Sequence, residues 1–193
     1  MATAAVEARR AWDTLLSAWR ELHLPGEGWR AEIEEQRIVL MPPPGELHNR
    51  IASRLVRMLS REVPYSWEIF ETMGVQIPYV ARLYVPDVAV FPAEVFPTTE
   101  PPVAAEHALL LVEITSPGNA EHDRKKKRWA YANAPVPLYL LVDPHDSVGP
   151  SATLYAEPRN GDYQSITKTT LGSVIELPEP FGFPLATAEL PTE

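Results

Sequence analysis

Apolar residues recur at helical spacing from Thr3 to Leu24, where Trp12, Leu15, Leu16, Trp19 and Leu22 make one stripe that Pro25-Gly26 closes. From Trp29 to Met41 the pattern becomes that of an extended pair or hairpin, rich in charged and β-branched residues, and Pro42-Pro43-Pro44-Gly45 then breaks the chain. Leu47, Ile51, Leu55, Met58 and Leu59 predict a second amphipathic helix, ending before Val63-Pro64. Trp67 to Tyr79 and Tyr84 to Phe91 read as strands, the second leading into a Pro-rich loop that reaches about Pro102. Leu109 to Thr115 is an almost continuous apolar run, the mark of a strand buried on both faces. A third helix spans Asn119 to Asn133, and the strand Leu138 to Val142 follows, stopped by Asp143-Pro144. Between Ala152 and Leu177, alternating stretches around Tyr155 and Tyr163 flank Asn160-Gly161, a hairpin signal. These elements predict an α/β (α+β) fold in which a mixed central sheet is flanked by helices. Residues 1–28 form a helical extension and residues 29–193 the domain proper.

Composition narrows the class of protein. With 193 residues, 45% of them hydrophobic and 22% charged, the chain fits one domain with an ordinary core. The absence of cysteine removes disulfides, thiolate nucleophiles and thiolate metal sites, and suits a cytoplasmic location. The charges at Glu7, Arg9, Arg10 and Asp13 argue against a signal peptide, and no apolar run reaches the length of a membrane span. A net charge of −9 speaks mildly against nucleic acid as a partner, unless basic residues are locally concentrated or a metal offsets the acids.

Chemistry concentrates in the second half of the chain. Glu113 stands in the middle of the apolar strand, and a buried carboxylate requires a partner because desolvating its charge costs several kcal/mol. A structural salt bridge, a strand end reaching solvent and a metal ligand all satisfy that requirement. Asp87 interrupts a second apolar stretch, sharing a face with Val85 and Ala89, while Pro86 implies an edge or bulge beside it. Asp123, Lys127 and Tyr131 follow at intervals of four on one helix face. The run from Arg124 to Arg128 reads mainly as a solvated face from which one base can turn toward the carboxylates. Asp143 reads as a turn-former and Tyr131 as packing. Trp12 and Trp19 either cover the sheet or form a dimer contact, and covering the sheet is the preferred reading. No Gly-rich phosphate loop, nucleophile elbow or zinc-type His pair is present.

The string Val112-Glu113-Ile114-Thr115-Ser116-Pro117, then Asp123, Lys127 and Tyr131, then Pro137-Leu138-Tyr139 and Val142-Asp143, resembles the Uma-two family. That family consists of restriction-endonuclease-like proteins of the PD-(D/E)XK nuclease superfamily. Pro86-Asp87-Val88-Ala89-Val90 is similar to its first catalytic strand. Glu32, Met41-Pro42-Pro43 and His48 are similar to its N-terminal strand pair and first core helix. The resemblance implies Asp87 and Glu113 as metal-binding carboxylates, with the Ile114 backbone carbonyl as a further oxygen ligand. Thr115 stands where the superfamily carries a lysine, and Lys127 occupies the helix position that takes over in this family. Glu32 and His48 match positions near the site. The same resemblance implies Mg²⁺, with Mn²⁺ as substitute, phosphodiester hydrolysis in nucleic acid, DNA foremost, and a homodimer as the assembly that cuts two strands. The acidic balance and Thr115 keep a second expectation open, a nuclease fold that binds nucleic acid or protein without cutting.

Overall fold

The computed structural model describes residues 2–96, 101–117 and 123–192. Its first apolar stripe becomes α1 (Ala2–Arg20), and the charged pair becomes the hairpin β1 (Arg30–Glu34) and β2 (Arg37–Met41). The hairpin turns at Glu35-Gln36, with φ of 48° and 63°, a positive-φ pair built without glycine. The helix α2 (Glu46–Glu62) follows the proline break and ends at Val63 before Pro64.

The stretch read as one strand from Trp67 to Tyr79 is two. β3 (Trp67–Glu71) and β4 (Val75–Ile77) lie in different sheets, separated by Thr72 at φ 58°. The stretch from Tyr84 to Phe91 likewise divides into β5 (Arg82–Tyr84) and β6 (Val88–Pro92). Pro86 cannot donate a ladder hydrogen bond, so Val85-Pro86-Asp87 serves as a crossing from one sheet to the other. A single pleat does not run through that crossing. Val85 accordingly packs with Trp12, Ile33 and Leu83, whereas Ala89 belongs to the core around Phe91 and Tyr139.

The remaining elements are β7 (Val103–Ala104), β8 (Leu110–Ile114), a π-helical turn Asp123–Lys127 continuing as α3 (Arg128–Asn133), β9 (Leu138–Asp143), β10 (Ser151–Arg159), β11 (Asp162–Thr170), β12 (Val174–Leu177) and β13 (Phe183–Ala186). The start of the third helix, Asn119 to His122, lies outside the described residues. One sheet has the order β2-β1-β5-β4-β7 and the other β11-β10-β9-β8-β6-β3, while β12 and β13 form a separate hairpin. The larger sheet is mixed, since β8 pairs parallel with β9 and antiparallel with β6. Asn160-Gly161 makes the β10–β11 turn with φ of 52° and 77°, the geometry its sequence signalled. No described helix is long and apolar enough to cross a membrane.

Alternation along the central strands gives the larger sheet two apolar faces. Val88, Val90, Leu110, Val112, Leu140 and Val142 pack against Ile51, Leu55, Met58 and Leu59 of α2. Ala89, Phe91, Leu111, Tyr139 and Leu141 pack against Ala130, Tyr131 and Ala132 of α3. Glu113 follows Leu111 by two residues and therefore points to the α3 side. The first helix closes the smaller sheet, burying Trp12, while the Trp19 Nε1 donates to the Ala31 carbonyl at 2.7 Å.

Candidate active site at the crossing between the sheets

Two strands, the crossing between the sheets and two helices bring the singled-out residues together. In β1 the period of two puts Ala31 and Ile33 toward α1 and leaves Arg30, Glu32 and Glu34 on the opposite face. Glu32 and Glu34 are buried there despite their charge. The crossing supplies Asp87, β8 supplies Glu113, the first turn of α2 supplies His48, and the π-helical turn with α3 supplies Lys127 and Tyr131.

Lys127 is the centre of the arrangement. Only 3% exposed, it donates from Nζ to Glu113 Oε2 at 2.9 Å and to Glu32 Oε1 at 3.1 Å. Its ammonium also lies 5.3 Å from the centroid of the Tyr84 ring. Glu32 Oε1 accepts the Val85 N–H at 3.0 Å, which ties this cluster to the crossing. Tyr131 donates its hydroxyl to Glu113 Oε1 at 2.6 Å. Burial first, and then the Glu113 charge, raise the Tyr131 pKa well above its ordinary value, so the hydroxyl stays protonated. Tyr131→Phe removes a donor to a buried carboxylate. It is expected to cost about 1.5–3 kcal/mol, read as a fall of roughly 3–12 °C in Tm at about 2–4 °C per kcal/mol.

Asp87 is held as firmly. Oδ1 accepts Arg30 Nη1 at 2.6 Å, and Oδ2 accepts the Ile114 N–H at 2.7 Å. His48 Nε2 lies 3.0 Å from the same Oδ2. The Asp87 N–H donates in turn to the Val112 carbonyl at 3.0 Å, so this residue is stitched to β8 on both sides of Glu113. Burial would raise the Asp87 pKa, but the hydrogen bond and charge of His48, with the charges of Arg30 and Lys127, outweigh it and hold the carboxyl below its ordinary value. Asp87 therefore contributes stability that is present above its unfolded-state pKa. That contribution is lost as the pH falls through the lower folded-state pKa.

All the singled-out site residues thus meet: Glu32, His48, Asp87, Glu113, Lys127 and the backbone of Ile114. Arg30 was not singled out from the sequence; its signal is the alternation Arg30, Glu32, Glu34 with Ala31 and Ile33 between. Tyr131 packs as read and bonds Glu113 as well. Thr115, at the position where a lysine would stand, donates its hydroxyl to Asp143 Oδ1 at 2.7 Å, so Asp143 does more than form the turn at His145. The Asp123 side chain lies outside what the structure describes. The basic run beside it is largely matched by acids: Lys126 pairs with Glu35 at 2.9 Å and Glu34 at 3.4 Å, and Arg128 pairs with Asp162 at 3.2 Å.

Buried carboxylates and a helix-borne lysine thus meet at the crossing of two sheets. The sequence model of the Uma2 family, described as "Putative restriction endonuclease", matches residues 19–188, and the chain belongs to that family. The fold is shared with the crystal structure of a "putative nuclease" from Anabaena variabilis ATCC 29413, at a TM-score of 0.72 and 19% identity. That match covers 91% of this chain and 96% of the other. No curated protein matches the chain.

Proposed function

We propose that this chain is a metal-dependent nuclease that hydrolyses phosphodiester bonds of nucleic acid, duplex DNA foremost. The observation that carries the proposal is the convergence of buried Asp87, Glu113, Glu32 and Lys127 in a member of a restriction-endonuclease-like family. The donor set suits a hard cation. Asp87 and Glu113 offer carboxylate oxygens, the donors that such a cation takes. Among the described residues no three His, Asp or Glu side chains converge as a metal cluster. Two carboxylates suit Mg²⁺, which takes one or two and keeps several waters, with Mn²⁺ as substitute. Two buried polar atoms at the site's edge, His48 Nδ1 and Arg30 Nε, have no hydrogen-bond partner among the described residues.

In this reading Asp87 and Glu113, with the Ile114 carbonyl, would hold the ion. When bound, such a cation supplies charge stabilisation for the phosphoryl oxygens and an activated water. The chain's own groups do the remainder. Lys127 steadies the negative charge that grows on the scissile phosphate and orients the attacking water. Glu32 fixes the Lys127 ammonium and Tyr131 fixes the Glu113 carboxylate, so neither must reorganise during reaction. His48 orients Asp87 through Nε2, and Nδ1 is the atom through which it would take or give a proton.

One observation favours a second reading, a binding protein with a structural ion-pair network. Every oxygen of Asp87 and Glu113 already accepts a hydrogen bond from the protein. A melting scan with and without Mg²⁺ and Mn²⁺, on the wild type and on Asp87→Asn, separates the two. Metal at ~100 times its Kd contributes about 2.7 kcal/mol, roughly 5–10 °C in Tm for a chain of this size. The nuclease reading expects that rise in the wild type and its loss in the variant. No rise in the wild type overturns it in favour of the network.

A further inference from the structure

The sequence places its densest run of bases at residues 124–128, yet the structure turns Lys126, Lys127 and Arg128 toward acids of the same chain. A different basic surface remains. Arg50, Arg54, Arg57 and Arg61 are spaced four, three and four residues apart along α2, so they form one stripe on a single face. All four are exposed, and no acidic residue falls between Leu47 and Arg61. The opposite side of the helix carries Ile51, Leu55, Met58 and Leu59 into the core, which fixes the stripe to the fold. In a chain of net charge −9 such a concentration of one sign is a marked local departure.

We propose that this face of α2 is a track that holds the phosphate backbone of nucleic acid where it flanks the site; the proposal rests on the nuclease reading and extends it to substrate binding. The stripe begins two residues after His48, the α2 residue that contacts Asp87, and a turn of about 200° at ~100° per residue puts it on the helix face away from that contact, so it holds backbone that flanks the site and not the scissile phosphate. Dimensions support the track. Eleven residues of helix rise about 16 Å at ~1.5 Å per residue, which matches roughly five phosphates of one strand at ~3.4 Å each. Beside the stripe runs an open groove of about 810 Å³ between α2 and residues 188–191, lined by Arg50, Arg54 and Arg57 with Asn49 and Ser53, donors suited to phosphate oxygens. Glu46 and Glu189 also line it, and Arg61 pairs with Glu189 at 3.3 Å, an exposed contact of the kind that contributes little and exchanges readily.

The test is equilibrium binding of the full chain to a duplex of arbitrary sequence in EDTA, from 50 to 200 mM salt, comparing the wild type with the triple variant R50Q/R54Q/R57Q. Each lost phosphate contact lowers the slope of log K against log salt by ~0.9, so the variant's slope is expected to fall by about 2.7. Across that salt range the wild type then loses about 40-fold more affinity than the variant. An unchanged Tm for the triple variant excludes misfolding. A wild type that binds duplex, with a triple variant of equal slope and affinity, overturns the track and leaves the nuclease reading standing. A wild type that ignores duplex but binds poly-glutamate through these arginines makes the stripe an acidic-peptide site and overturns the proposal. Binding to neither overturns the track, while the nuclease reading is decided separately by the metal-dependent melt.

Discussion

Lys127→Met is expected to lower the stability of the fold by about 3–5 kcal/mol, the usual cost of removing one partner from a buried ion pair. Lys127 is the only side-chain donor to Glu32 Oε1 among the described contacts, and it shares Glu113 with Tyr131. Glu32 and Glu113 are 3% and 2% exposed, so water does not replace the lost cation. At about 2–4 °C per kcal/mol the Tm falls by roughly 6–20 °C. Combining Lys127→Met with Glu113→Gln recovers part of the loss, because one of the two stranded charges is gone. A thermal melt of Lys127→Met that overlays the wild type, at neutral pH and without metal, would show that the carboxylates are not stabilised through this ammonium.

The second large effect is on cleavage. Asp87→Asn and Glu113→Gln keep the volume of each side chain and one of its carbonyl-type acceptors while removing the charge. A hard cation at such a site is worth several kcal/mol of transition-state stabilisation, and ~1.36 kcal/mol is a factor of ten in rate. Each variant is therefore expected to cut roughly 10²–10⁴ times more slowly than the wild type, with duplex binding in EDTA unchanged. Gel assays on duplex and single-stranded substrates with Mg²⁺ or Mn²⁺ read this directly. Full metal-dependent cutting by both variants would remove Asp87 and Glu113 from the chemistry.

What the sequence revealed about this site followed from the contrast between one residue and its neighbours. Glu113 could be found because every other residue of its strand is apolar, whereas Lys127 was singled out from the run 124–128 by the family resemblance alone, since spacing chooses none of those bases. Its partner Glu32 lies 95 residues away, a separation over which no periodicity carries information. Arg30 was missed for the same reason, although its alternation with Glu32 and Glu34 on a strand whose other face is Ala31 and Ile33 was open to view. The division into two sheets was half visible. Pro86 announced a disturbance, but whether a proline makes a bulge or passes the chain to another sheet depends on what α1 covers, a tertiary matter. Glu35-Gln36 turns with positive φ and without the Asn-Gly or Asp-Gly pair by which such turns are recognised, whereas Asn160-Gly161 announced itself. The run at 124–128 misled in the other direction, because its bases are matched by acids from β1, the β1–β2 turn and β11 that no local pattern connects to it.

The ammonium that links Glu32 of one sheet to Glu113 of the other also sets an order on synthesis. The chain leaves the ribosome from its N-terminus, so Glu32, Asp87 and Glu113 all emerge before Lys127 does. Arg30 can meet Asp87 early, but docking the two sheets at that stage would enclose two carboxylates with no cation between them, at several kcal/mol for each buried charge. The nascent protein is therefore expected to keep its acids in water until Lys127 arrives. The group proposed to serve the phosphate is also the one that lets the two halves of the molecule close.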